Sequence, residues 1–186
     1  MGDEIKKIFT PVQHSPYSVK KKLIMLLWRI VNNSIFRYSP WFCRRFRVIL
    51  LRAFGAKIDL TCSINRKARI EQPWNLTMGY QSSLDEGVWL RCTDKITMGM
   101  HCIISHDVEM TPGSHDVNAA DFHQITAPIV LHDNVWVAAR AFIHKGVTIG
   151  EGAVISSCAV VVSQVPPWSI VTGNPARVIG KRELKN

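Results

Sequence analysis

The stretch LHDNVW-VAARAF-IHKGVT-IGEGAV-ISSCAV-VVSQVP, residues 131–166, decides how the chain folds. Written in sixes, its first column reads Leu131, Val137, Ile143, Ile149, Ile155 and Val161. Its fifth column reads Val135, Ala141, Val147, Ala153, Ala159 and Val165. A six-residue period does not suit a helix, whose apolar stripe would wander around the cylinder. It suits short strands separated by turns, because six is a multiple of the strand period of two. Unbroken short repeats of this kind signal a parallel β-helix. Ordinary strands with accidental spacing would not hold register for so long.

The first column sends bulky aliphatics inward, and the fifth puts small ones where the coil narrows. Between them lie polar residues or glycine. Gly146, Gly150 and Gly152 fall at such bends, where φ > 0 is open to a residue without Cβ. Stacked coils hydrogen-bond at a spacing of about 4.8 Å. Each coil buries its neighbour's aliphatic row, so the fold is cooperative along its axis. The same rhythm runs upstream through Ile58, Ile64, Ile70 and Leu76. After a slip of two residues it continues through Leu84, Leu90, Ile96, Cys102 and Val108. Cys62 and Cys102 fall on inward positions and read as small core residues.

The chain has 186 residues, 47% of them hydrophobic, enough for one sizeable core and an appendage. Its net charge of +9 suggests nucleic acid until it is located. Residues 1–57 hold 12 of the 23 Lys/Arg and only two acids, Asp3 and Glu4. The remainder holds 11 basic and 12 acidic residues, so the repeat domain is neutral. No groove-reading motif accompanies the charge, which argues against a nucleic-acid partner. Five cysteines without a CxxC pair argue against a disulfide framework. With no signal-peptide pattern, the expected compartment is the cytoplasm.

The basic segment, residues 1–57, reads as an amphipathic helical arm. Lys20, Lys21 and Lys22 precede an apolar run from Leu23 to Val31, and a second stretch runs from Trp41 to Phe54, closed by Gly55. Neither is long and apolar enough to span a bilayer. Two roles fit. The helices cap the open end of the solenoid, or residues 20–54 dock on anionic membrane with Trp28, Trp41 and Phe42 dipping in. Both can hold together. The repeat domain then occupies 58–181, with a short tail at 182–186.

The rhythm breaks between Met110 and Pro128. This polar stretch cannot continue the prism, and the loop expected at 111–127 carries Gly113-Ser114-His115-Asp116. On the hexads, this GSHD phrase, the Asn134–Arg140 phrase and the arm ending in Arg52-Ala53-Phe54-Gly55-Ala56-Lys57-Ile58, the sequence resembles the hexapeptide-repeat acyltransferases. The nearest likeness is to the colanic-acid (exopolysaccharide) branch of the galactoside/maltose acetyltransferases, over about Ile58 to Lys181. The resemblance implies a left-handed parallel β-helix, mainly β with an α-helical arm, assembled as a homotrimer.

It also implies acetyl-CoA as co-substrate and His115 as the general base that deprotonates an acceptor hydroxyl. Imidazole suits that task near neutral pH. His123, in the same loop, is the rival. Trp136, Ala139 and Ser157 match positions along the pantetheine arm, and Arg177 matches a nucleotide-phosphate contact to which Lys181 or Arg182 adds charge. Ser163-Gln164 departs from the family's basic–acidic pair before the tandem proline, which puts one phosphate contact in doubt. Asp85, at the irregularity after Leu76, is the candidate acceptor ligand, since carboxylates accept two hydrogen bonds from sugar hydroxyls. The expected activity is O-acetylation of a saccharide in surface polysaccharide synthesis, on a nucleotide- or lipid-linked acceptor, in the cytoplasm or at the inner face of the membrane.

Three alternatives stay open: a xenobiotic acetyltransferase, a γ-carbonic-anhydrase-like zinc protein and a non-catalytic scaffold. His101 and His106 have the zinc enzyme's spacing, but no histidine lies between His14 and His101 to complete three ligands, so no metal is expected.

Overall fold

The computed structural model describes residues 17–184. The first 16 residues of the expected arm and the last two of the expected tail lie outside the described residues. The hexads form a parallel β-helix with three faces. The first face stacks Lys57–Ile58, Leu76–Met78, Ile96–Met98, Ile129–Leu131 and Thr148–Ile149. The second stacks Ser63–Ile64, Ser83–Leu84, Ile103–Ile104, Trp136–Val137, Val154–Ile155 and Ser169–Gly173. The third stacks Arg69–Ile70, Trp89–Leu90, Glu109–Thr111, Phe142–His144 and Val160–Val161. Both hexad columns point inward: Val137, Ile143, Ile149, Ile155, Ala153 and Ala159 are wholly buried.

The upstream register differs from the expectation in one respect. Lys57, Thr77 and Thr97 stack on one another, so these coils advance by 20 residues, against 18 between Val130 and Thr148. The slip therefore occurs twice, between Ile70 and Leu76 and between Leu90 and Ile96, each time at the corner before a three-residue strand with both ends buried. Met98 and Ile104 thus take the bulky column, and Cys102 and Val108 move to the small one. Each extra pair lies in a corner, the first of them in the turn at Pro73–Asn75, so the strands that follow keep residues i and i+2 facing the core. All five cysteines are free thiols, with Cys62 and Cys102 buried.

Gly146 and Gly152 adopt positive φ (74° and 65°). Gly150 does not; it is needed for close approach, since a Cβ there would lie 2.4 Å from the Pro167 nitrogen. The arm consists of helix α1 (Val19–Val31), a π-helical turn (Asn32–Phe36) and helix α2 (Arg44–Ala53). Gly55, at φ 92°, ends α2 in a Schellman arrangement: its N–H reaches Arg52 O, and Ala56 N–H reaches Leu51 O.

One face of the arm closes the start of the solenoid. Trp28, Phe36, Val48 and Leu51 are buried in one core with Ile58, Ile64 and Ile70. Trp28 therefore cannot dip into a membrane. It is 1% exposed, and its indole N–H donates to Ile70 O at 2.5 Å. The reason is that first-coil carbonyls have no earlier coil to bond, and an unpaired buried carbonyl is costly. Leu23, Leu26, Leu27, Ile30, Trp41 and Phe42 are each more than half exposed. No described helix is long and apolar enough to cross a membrane.

Candidate active site

The break in the rhythm sits at the corner after the third face, where the two slips also occur. Gly113–His115 and Gln124–Thr126 pair antiparallel there, so the expected loop is a projecting hairpin with His115 opposite Gln124. Its base is tight, because a Cβ on Gly113 would meet Thr93 Oγ1 at 2.7 Å.

His115 is exposed but held. Its ring stacks on Phe122, with centroids 4.7 Å apart and planes within 3°. Its Nδ1 lies 2.8 Å from Phe122 O. A carbonyl can only accept, so Nδ1 carries the proton and Nε2 presents a bare lone pair. That is the tautomer a general base requires. His123 is placed differently: its Nδ1 contacts Asp121 Oδ1 at 2.8 Å. The hydrogen bond that its ring N–H donates to that carboxylate is the main cause raising the His123 pKa. Phe122 carried no signal in the sequence; its contact with His115 spans a turn without periodicity.

The residues matched to the donor fall along the second face and the edge after it. Trp136 stands between Ile103 and Val154, and its Nε1 donates to Ser105 Oγ at 3.1 Å. Ala139 and Ser157 follow at that edge, one coil apart, where Cys158 N–H bonds Ala139 O. Asp85 lies along the same edge. Its amide bonds Ile104 O, whereas the irregular corner is at Pro73–Asn75, two faces earlier. Asp85 is exposed, and Oδ1 accepts from Glu86 N at 2.7 Å. The structure thus aligns Asp85, Trp136, Ala139 and Ser157, while His115 projects from a different corner.

Arg177 and Lys181 lie on the C-terminal strand Ala176–Lys181, antiparallel to Ser169–Gly173. Arg177 is exposed beside a cavity of about 410 Å³ that also includes Ser163 and Gln164. The Gln164 amide is already engaged with Thr148 N and Gly146 O, a structural clamp in place of a phosphate contact. Arg182 is held against the solenoid: its Nη1 bonds Asn134 O and Gly152 O. His101 and His106 stand in the turns before and after Ile103–Ile104, and His101 packs on Tyr80 at 5.6 Å. Among the described residues no three His, Cys, Asp or Glu side chains are grouped to hold a metal.

The bacterial transferase hexapeptide model (six repeats) matches residues 128–163. WcaF of Escherichia coli (strain K12), assigned as a colanic acid biosynthesis acetyltransferase, is 38% identical over 156 residues, covering 84% of this chain and 86% of that one. The fold matches the hexapeptide-repeat acetyltransferase VCA0836 of Vibrio cholerae O1 biovar eltor, solved with acetyl coenzyme A. That TM-score is 0.80 at 23% identity, over 97% of this chain and 99% of that one. A maltose O-acetyltransferase from Clostridium difficile 630 matches with a TM-score of 0.78 at 22% identity, over 97% and 98% of the two chains. Identity of this extent with WcaF, across most of both chains, means that this chain belongs to the hexapeptide-repeat acetyltransferases.

Proposed function

We propose that the protein acetylates a sugar hydroxyl on a precursor of a surface polysaccharide, with His115 as the general base. The observation that carries this reading is the Nδ1–H bond to Phe122 O, which leaves Nε2 free to take a proton. As the acceptor oxygen attacks the thioester carbon, its proton passes to Nε2. The tetrahedral centre then collapses, the C–S bond breaks, and Nε2–H returns the proton to the departing thiolate. Phe122 O favours the intervening imidazolium by accepting from Nδ1–H. Trp136, Ala139, Ser157, Arg177 and Lys181 line the path of acetyl-CoA, and Asp85 holds an acceptor hydroxyl.

His115 and Trp136 emerge from different corners of one prism, which favours a site completed between neighbouring copies in a homotrimer. The test is thiol release from acetyl-CoA with a panel of sugars. Replacing the base, His115→Ala, should lower kcat by about 10²–10⁴-fold. Equal turnover of the two proteins would remove the assignment.

The same reading includes peripheral contact with the inner face of the membrane, within the cytoplasm. Leu23, Leu26, Leu27, Ile30, Trp41 and Phe42 are exposed among Lys20, Lys21, Lys22, Arg44 and Arg45, the composition of an interfacial helix pair. Flotation with anionic vesicles should carry the wild type upward and leave a Leu26→Ser, Leu27→Ser variant below. Wild type that stays at the bottom would refute the contact.

A further inference from the structure

On the second face, N-terminal to Trp136, the outer surface opens into a cavity of about 470 Å³ between the arm and the coil edge. Its lining includes Trp41, Arg44, Arg47, Arg66, Lys67 and Asp85. Glu86 also lines it, and the Lys67 ammonium is paired with that carboxylate at 2.5 Å. Three guanidinium groups therefore face one remaining carboxylate, that of Asp85. Among the described residues none of these three arginines makes an ion pair, the described pairs being those of Lys67, Arg91, His123 and Arg140.

Arg47 is the informative member. It is 2% exposed. Four of its N–H groups are bonded: Nε to Ile64 O at 2.7 Å, Nη1 to Ser39 Oγ at 3.0 Å and Pro40 O at 2.9 Å, and Nη2 to Trp41 O at 3.1 Å. All four acceptors are neutral, and a guanidinium has five donors. Closing the end of the solenoid does not need the charge, because Trp28 performs the same service for Ile70 O with a neutral indole. A buried charge ordinarily has a partner. Desolvation is the largest effect pulling the Arg47 pKa down, and Arg44 and Arg66 push the same way. Helix α2 starts at this cavity with Arg44. It has no side-chain cap at Cys43 and no acid in its first turn, so its positive end adds to the excess.

We propose that this cavity is a phosphate subsite for the acceptor, in which Arg44 and Arg66 bind the phosphate or diphosphate joining the sugar to its carrier, while Arg47, with four N–H groups engaged in the cap, adds positive charge behind them. Arginine suits the task because its planar fork makes two hydrogen bonds to one phosphate. The location agrees with the donor path. Ser83, Ile103 and Trp136 are successive register partners, and Ser83 and Ile103 line the cavity, so it begins one rung, about 5 Å, from Trp136. Ser105 both lines the cavity and accepts from the Trp136 indole. A phosphate held at the arm directs the attached sugar along the face toward the thioester. Trp41, 73% exposed at the cavity wall, offers a flat apolar surface to the sugar or to the carrier. The acceptor's identity rests on the saccharide reading above; the anion site does not.

The test has two parts. The first is calorimetric titration of inorganic pyrophosphate into the full-length protein saturated with CoA, so that donor contacts are already filled. Wild type should bind with a dissociation constant in the millimolar range or tighter. The double variant Arg44→Gln, Arg66→Gln should bind about tenfold more weakly. Both residues are exposed and outside every described ion pair, and a melting curve checks that the variant folds. No binding to wild type, or equal binding to the variant, overturns the subsite.

The second part compares kcat/KM for a polyprenyl-diphosphate sugar, a nucleoside-diphosphate sugar and the free sugar. The ratio of phosphorylated to free acceptor should fall about tenfold in the double variant, and the better carrier in wild type identifies the source of the phosphate. A wild type that binds pyrophosphate through these arginines but acetylates no sugar keeps the subsite and removes the saccharide reading. Acetylation of all three acceptors with unchanged ratios in the variant keeps that reading and removes the subsite.

Discussion

The two ends of the solenoid are closed in opposite ways. At the C-terminal end the chain folds back on itself, and Ala176–Lys181 pairs antiparallel with Ser169–Gly173. The backbone supplies most of its own partners there, and Arg182 ties the strand's end to Asn134 O and Gly152 O. At the N-terminal end single side chains from a separate helical arm do the work: Trp28 covers Ile70 O, and Arg47 covers Ile64 O. A backbone hairpin depends on no one residue, whereas a cap made by two side chains depends on both. The N-terminal end should therefore be the fragile one, and it is also the end that carries exposed apolar and basic residues.

The sharpest way to break the contrast is Arg47→Leu. It leaves Ile64 O, Ser39 Oγ, Pro40 O and Trp41 O without their donor. Each buried acceptor so orphaned costs about 1–3 kcal/mol, not fully additively, so a loss of about 3 kcal/mol or more is expected by urea denaturation. Trp28→Phe removes one donor and little volume, and should cost about 1–3 kcal/mol. At the other end Arg182→Ala gives up bonds to two carbonyls from a half-buried side chain, and about 1 kcal/mol is expected. If Arg182→Ala proves as damaging as Arg47→Leu, the asymmetry of the two ends is wrong.

How much of this was legible depended on where period and chemistry coincide. From Leu131 to Val165 each coil spans three hexads, so the columns could be read directly. Upstream, the 20-residue coils hide their second slip, because Ile96 and Met98 both face inward and either continues an apolar row. A motif drew attention to His115, but nothing local in the sequence announces Phe122, whose carbonyl sets the tautomer. Arg44, Arg45 and Arg47 look alike in the sequence. The phase of α2 separates Arg45 from the other two: Arg44 and Arg47 lie on the side of Val48 and Leu51, and Arg44 stays exposed because it opens the helix at the rim of the cavity. That phase is fixed by docking on the open first coil, a long-range contact that local pattern cannot carry.

The smallest effect sharpens the comparison through pH. Glu71 follows Ile70 directly on the first coil, beside a cavity shared with Trp28 and Arg29 of α1. Burial raises its pKa, and the hydrogen bond from Trp89 Nε1, 3.0 Å from Oε1, only partly opposes this. A carboxyl with a raised folded pKa favours the fold most while protonated. Its contribution is full below the unfolded value of about 4.3 and is lost as pH rises through the folded value. Glu71→Gln keeps the shape and the acceptor for Trp89 without the charge. The variant should melt slightly above wild type at pH 7 and level with it near pH 4, with Trp89 emission unchanged. A variant at Glu71 that melts below wild type at pH 7 would mean that this carboxylate is an ionised part of the N-terminal closure, and the cap would then rest on charge as well as on hydrogen bonds.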